Sequence, residues 1–293
     1  MRAFRQPRSL RPGSLVAVVA PSGPFGREEL FRGLAWLRSR YRLRVGASIL
    51  ARHGYLAGTD EQRSRELADA MLRLEIDAIV CARGGYGAMR IGSGLPWDAF
   101  AESPKWIVGF SDVTALHLAA NARGIASVHA PNVTGLGRSI SPAERASFLA
   151  ALEGGRREPW AGLEVVRRGR AHGPIVGGNL ALVAAVAAAG GLHVPEGAIV
   201  ALEDVTEKPY RVDRMLTSLL EGGYLSRAAA VVFGGFTQCD PGPDGVTVEE
   251  VLRERTAKLG VPVVLGAPFG HGAPRTKAWF GAEATLDGDV LRF

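Results

Sequence analysis

The sequence predicts an α/β protein built in two parts, and three observations carry that expectation. Short apolar runs that stop at turns of Gly, Pro or polar residues recur along the chain, at Leu15–Ala20, Ala78–Ala82, Trp106–Phe110, Ala198–Leu202, Ala230–Phe233 and Val263–Leu265. Helical spacing of apolar residues follows most of these runs, the pattern of repeated β-turn-α units that assemble into a parallel sheet. Between Ser139 and His172 the rhythm weakens around Pro142, Gly154-Gly155-Arg156-Arg157 and Pro159, with one helical fragment at Ala146–Leu152. This stretch, 139–172, reads as the connection between an N-terminal domain, 1–138, and a C-terminal domain, 173–293.

The elements follow in order. Leu15–Ala20 is a strand that ends in Pro21-Ser22-Gly23-Pro24-Phe25-Gly26, and Leu30, Leu34 and Leu37 mark one face of the next helix. That turn lacks the Gly-x-Gly-x-x-Gly fingerprint, so it forms a cleft wall rather than a dinucleotide site, and no cofactor is expected. A helix over Glu61–Leu74 leads into the strand Ala78–Ala82 and then Arg83-Gly84-Gly85-Tyr86-Gly87. Its glycines let a backbone approach a ligand, or simply make a tight turn. Trp106–Phe110 is a buried strand and Thr114–Arg123 a helix closed by Gly124; a short apolar stretch follows at Ala126–Pro131.

Beyond the connection, Asn179 caps a helix over Leu180–Ala189 that is apolar all round and therefore expected to be buried. The strand Ala198–Leu202 runs into Glu203-Asp204, and Val212, Met215, Leu216 and Leu219 stripe the following helix. Thr247-Val248-Glu249-Glu250 is a capping box. The strand Val263–Leu265 ends in Gly266-Ala267-Pro268-Phe269-Gly270-His271-Gly272, and Ala278–Leu286 with Val290–Phe293 reads as a hairpin about Asp287-Gly288.

Composition narrows the function classes. Hydrophobic residues make up 47% and charged residues 22% of 293, the balance of a folded globular protein. The net charge of +6 comes from 31 Arg and 4 Lys scattered without a basic block, which argues against a nucleic-acid partner. Cys81 and Cys239 make neither a disulfide framework nor a metal-ligand pattern, so no metal is expected and a reducing cytoplasm fits. The apolar run at Leu15 is too short for a signal peptide and none approaches the roughly 20 residues that cross a bilayer, so no membrane partner is expected.

Three residues stand where chemistry is possible. Ser111 sits where strand turns into helix, a place that lifts a hydroxyl above the sheet edge beside unpaired helix N–H groups; Ser111 or Asp112 would equally serve as a helix cap. Glu203 follows five apolar residues and fits either an ion pair or a site. His271 lies between glycines, which cannot pack it as neighbours in a core would. A hydroxyl, an imidazole and a carboxylate are the parts of a nucleophilic triad, and the order Ser, Glu, His is one in which triads occur.

With Val18-Val19-Ala20-Pro21-Ser22-Gly23, Arg83-Gly84-Gly85-Tyr86-Gly87, Gly109-Phe110-Ser111-Asp112, Gly177-Gly178-Asn179-Leu180, Leu202-Glu203-Asp204, Pro209-Tyr210-Arg211-Val212-Asp213-Arg214 and Gly270-His271, the chain resembles the LD-carboxypeptidases, serine peptidases that include the microcin-immunity hydrolases. The resemblance implies a flavodoxin-like N-terminal domain, a swivelling C-terminal β/β/α-like domain and a homodimer. It implies Ser111 as nucleophile, His271 as general base and acid, Glu203 as the orienting carboxylate, and the N–H groups of Gly84 and Asp112 as the oxyanion hole. The implied reaction is release of terminal D-alanine from a murein tetrapeptide, or cleavage of an amide in a peptide-nucleotide antibiotic. From the residues alone, a two-domain small-ligand binding protein and a nucleotide-dependent enzyme stay open beside it.

Overall fold

The computed structural model describes residues 3–138, 140–272 and 277–293. Met1, Arg2 and Ser139, at the predicted edges of the first domain and the connection, lie outside the described residues. Two compact units are present, one of Ala3–Arg156 with Lys277–Trp279, the other the described part of Arg157–Thr276 with Phe280–Phe293.

The first unit runs β1 (Leu15–Val19), α1 (Arg27–Arg38), β2 (Arg42–Val45), α2 (Asp60–Leu72), β3 (Ala78–Cys81), α3 (Ala88–Gly92), α4 (Trp97–Glu102), β4 (Trp106–Gly109), α5 (Thr114–Asn121), β5 (Ser127–His129), α6 (Val133–Leu136) and α7 (Pro142–Glu153). Its sheet has the order β2-β1-β3-β4-β5, with every one of these pairs parallel. This is the doubly wound, flavodoxin-like order. β3 and β4 are buried at every residue, because helices cover both faces of a parallel sheet and leave no polar side to a central strand. β2 escapes sequence reading for the converse reason: Arg42 and Arg44 alternate with Leu43 and Val45 on a half-exposed edge strand. The strand order reverses between β1 and β3, so the turns after them, Pro21–Gly26 and Arg83–Gly87, flank the switch point where ligands of such sheets bind.

The second unit contains β6 (Trp160–Ala161), β7 (Glu164–Arg167), β8 (Arg170–Asn179), α8 (Leu180–Ala188), β9 (Ile199–Val205), α9 (Pro209–Glu221), β10 (Ala230–Thr237), α10 (Val248–Thr256) and β11 (Val263–Leu265); β12 (Ala278–Phe280), β13 (Glu283–Asp287) and β14 (Val290–Arg292) close the chain. Its sheet order is β6-β14-β13-β8-β9-β10-β11-β7. The run β8 to β11 is parallel and connected through α8, α9 and α10; α9 packs against both neighbouring helices, and antiparallel strands flank the run.

Within the stretch 139–172, α7 starts at a Ser141/Glu144 capping box and takes in the expected helical fragment Ala146–Leu152, and β6, β7 and the start of β8 follow. Two expectations are corrected. α8 is not buried all round, since only Leu180, Val183 and Ala187 face inward. Its outer positions are mostly Ala, whose exposure costs little, so uniform apolarity overstates burial. The first arm of the C-terminal hairpin is two strands. β12 joins the first sheet beside β5, and Gly281 at φ +84° redirects the chain into β13, which pairs with β14. Among the described residues no helix is long and apolar enough to cross a membrane.

Candidate active site

Ser111 follows the carboxyl end of β4 with its backbone at φ +65°, in the left-handed region, and opens a 3₁₀ turn, Ser111–Val113, that leads into α5. A non-glycine residue there stores strain of about 1–3 kcal/mol and persists only where its surroundings over-determine it. Those surroundings are visible. Phe110 N–H donates to Asn132 Oδ1 at 3.3 Å, and the Gly109 carbonyl accepts from His117 Nε2 at 2.9 Å. Burial pulls the His117 imidazole down to about 4, so it is neutral at pH 7 and donates as a neutral group. His129 lies in register with Gly109 on β5, its ring 5.8 Å from that of Phe110. Neither Ser111 nor Asp112 caps a helix through its side chain. The capping alternative thus has no hydrogen bond behind it; Asp112 Oδ2 instead accepts from Ala88 N at 2.8 Å.

The turn after β3 is pressed against this serine. A Cβ on Gly84 would lie 2.8 Å from Ser111 Cβ and 3.1 Å from its Oγ, so no side chain fits at that position. The Gly84 carbonyl accepts from Gly23 N at 3.1 Å, while the Gly84 N–H makes no hydrogen bond among the described residues.

In the second unit β9 continues through Val205, so Glu203 and Asp204 lie within the strand rather than beyond its end as the sequence reading had it. Their side chains diverge, as alternate residues of a strand must. Glu203 is fully buried, and its Oε2 accepts from both the Nδ1 and the backbone N–H of His271, at 2.7 and 3.1 Å. A carboxylate only accepts, so Nδ1 carries the proton of the neutral ring. Gly270, at φ +115°, brings this about: a Cβ there would sit 2.7 Å from Glu203 Oε2. The preceding Phe269 stacks on Trp160 at 5.1 Å, and its carbonyl accepts from Gly235 N of β10. Asp204 serves the opposite face, accepting from Asn179 Nδ2, Ala181 N and Val205 N at 2.8, 2.9 and 2.8 Å. Burial pushes its carboxyl up to about 6 against the pull of these bonds.

The structure therefore joins Glu203 to His271 and sets Gly84 against Ser111, each pair within one unit. Among the described residues no group of three His, Cys, Asp or Glu has the arrangement of a metal site. Sequence reasoning missed the side-chain role of Asp112, the buried His117 and Asn132 around the Ser111 turn, and the buried Arg63 beside the Gly84 turn. Each is revealed only by a partner distant in the sequence: Ala88 N for Asp112, the Gly109 carbonyl for His117, Phe110 N for Asn132, and the Pro21 and Gly87 carbonyls for Arg63.

Comparison with known proteins agrees with this architecture. The model of the LD-carboxypeptidase N-terminal domain matches residues 16–130, and that of the LD-carboxypeptidase C-terminal domain matches residues 172–286. A putative carboxypeptidase of Synechocystis is 40% identical over 98% of this chain and 96% of its own. The murein tetrapeptide carboxypeptidase of Pseudomonas aeruginosa is 37% identical over 95% of this chain and 94% of its own. The crystal structure of muramoyltetrapeptide carboxypeptidase from Oxalobacter formigenes superimposes with a TM-score of 0.85 at 28% identity, covering 94% of this chain and 97% of the other. The family match and these relatives define a hydrolase of the peptidase class. The chain belongs to the LD-carboxypeptidase family.

Two outcomes follow from this geometry. Ser111→Gly and Ser111→Ala both delete the hydroxyl, but only glycine tolerates the left-handed backbone. Urea unfolding is expected to find the glycine variant more stable by about 1 kcal/mol. Asp204 is harder to ionise folded than unfolded, so between pH 3.8 and about 6 the native state holds the extra proton. Stability is lost as pH rises through that window, by on the order of 2–3 kcal/mol, and the loss is absent from Asp204→Asn. Unfolding midpoints across pH 3.5–7 for both proteins measure it.

Proposed function

We propose that the protein is a serine-type LD-carboxypeptidase that releases terminal D-alanine from murein tetrapeptide in cytoplasmic cell-wall recycling. The observation that supports this most is the strained backbone of Ser111 at the carboxyl end of β4, the setting of an activated hydroxyl at a strand-to-helix turn. Ser111 Oγ is the nucleophile. His271, whose Nδ1 is engaged by Glu203, uses Nε2 to take the hydroxyl proton and then to deliver it to the departing amine of D-alanine. Glu203 fixes the tautomer and stabilises the imidazolium. The N–H groups of Gly84 and Asp112 receive the oxyanion of the tetrahedral intermediate, and water then releases the shortened peptide from its ester with His271 as base. The triad needs neither metal nor cofactor.

Pairing as a homodimer belongs to the same reading, supported by the outward apolar face of α8. Sedimentation at micromolar concentration measures it.

The test is to incubate the protein with murein tetrapeptide and, in parallel, with a peptide-nucleotide amide, and to follow the products by mass spectrometry. Loss of one alanine from the tetrapeptide is expected; cleavage of the nucleotide amide alone would redirect the assignment, and no cleavage of either would refute the hydrolase mechanism. Ser111→Ala is expected to lower kcat by on the order of 10⁶ and Glu203→Gln by on the order of 10⁴. Wild-type turnover in Glu203→Gln would remove Glu203 from the triad.

A further inference from the structure

The peptide group between Gly87 and Ala88 is held at both of its polar ends by buried charged side chains. Its carbonyl accepts from Arg63 Nη1 at 2.8 Å, and its N–H donates to Asp112 Oδ2 at 2.8 Å. Arg63 is 2% exposed and Asp112 fully buried. Arg63 comes from α2, and its guanidinium also donates to the Pro21 carbonyl after β1 and to Asp60. Asp60 in turn accepts from Arg90 of α3 at 2.6 and 3.0 Å, and these bonds hold its carboxyl below the usual range. Two helices, the turn after β1 and the turn after β4 thus converge on one peptide plane.

That plane lies three residues beyond Gly84. The other end of the segment is fixed as well: Ala82 N donates to Val19 O at 2.8 Å, and Thr134 N donates to Ala82 O at 3.0 Å. Between the anchors stand Arg83, two glycines and the exposed Tyr86; Gly23 N holds the Gly84 carbonyl and Arg83 reaches the Pro24 carbonyl, but neither bond fixes the Gly85–Tyr86 end that leads into the clamped plane. A charge-assisted bond is roughly twice as strong as a neutral one, and rotating the plane would break two of them at once, taking from buried Asp112 its bond to Ala88 N and from Arg63 one of its three acceptors. The Asp112 carboxylate is also adjacent in sequence to Ser111, where negative charge opposes a developing oxyanion. Its contribution there is mechanical.

We infer that Arg63 and Asp112, through their side chains, are positioning residues that fix the Gly87–Ala88 peptide and with it the Gly84 N–H that receives the oxyanion. The inference rests on the assignment of Ser111 and Gly84 made under the proposed function. Because the oxyanion forms only in the transition state, loosening the clamp lowers kcat and leaves KM in place.

The experiment compares Arg63→Lys, Asp112→Ala and Asp112→Asn with wild type in the full-length chain. It measures kcat and KM on murein tetrapeptide and the rate at which a fluorophosphonate phosphonylates Ser111, each per folded molecule as counted from unfolding curves. Asp112→Ala, which removes the acceptor, and Arg63→Lys, whose single ammonium nitrogen cannot span the three acceptors the guanidinium fork reaches, are expected to lose about 10²-fold in kcat with KM within about twofold. Phosphonylation slows in proportion. Asp112→Asn keeps an oxygen for the Ala88 N–H and retains kcat within about tenfold of wild type. Unchanged kcat and labelling per folded molecule in Arg63→Lys and Asp112→Ala, or an Asp112→Asn as damaged as Asp112→Ala, overturns the clamp alone. A wild-type protein that is never labelled at Ser111 overturns the nucleophile assignment, and the clamp falls with it.

Discussion

A serine held at φ +65° where β4 ends is the constraint on which the first unit depends. Left-handed backbone is unfavourable for serine, so neighbouring groups must enforce it. Asn132 grips the Phe110 N–H, a neutral buried His117 grips the Gly109 carbonyl, and a glycine turn presses from the side where any Cβ would collide. The parallel sheet explains why these groups can meet. β3, β4 and β5 are adjacent and parallel, so the chain leaves all of them at the same edge, and the turn that follows each is delivered to one place. Strain at Ser111 is thus supported by the sheet's most buried strands.

The second unit solves a different problem, that of a fully buried carboxylate. Burying Glu203 without partners would cost several kcal/mol, and the His271 loop supplies two donors to one of its oxygens. Close approach of the loop backbone requires glycine at position 270, and Phe269 wedged on Trp160 and hydrogen-bonded to β10 sets the loop's height. Asp204, one residue on, points the other way and ties the start of α8 to β9. Adjacent carboxylates in one strand therefore take separate tasks through the alternation of strand side chains alone.

Much of this was legible in the amino-acid order, and the exceptions have physical causes. Apolar runs ending in Gly- or Pro-containing turns located β1, β3 and β4, an apolar run ending in two carboxylates located β9, and the Thr247 capping box and the Asn179 cap formed where the residue types required. The placement of Ser111 and His271 at turns after strands followed from their neighbours, whereas Glu203 was read at a strand end and lies within β9. β2 was not legible, because an edge strand with arginines on its open face has no apolar run. Arg63 was not legible either. On an amphipathic helix an arginine reads as solvent-facing, and only carbonyls from residues 21 and 87 give it a reason to be buried. Asp112 looked like a cap, since its partner, Ala88, is 24 positions away.

The central claim is that the Ser111 hydroxyl is made nucleophilic by an imidazole that Glu203 orients. The most direct measurement is the second-order rate of Ser111 phosphonylation by a fluorophosphonate in the full-length protein, wild type against His271→Ala, with the modified residue identified by peptide mass spectrometry. The account predicts labelling of Ser111 in the wild type and a rate at least about 10³-fold lower in His271→Ala. Equal rates in the two proteins, or labelling at a residue other than Ser111, would contradict it.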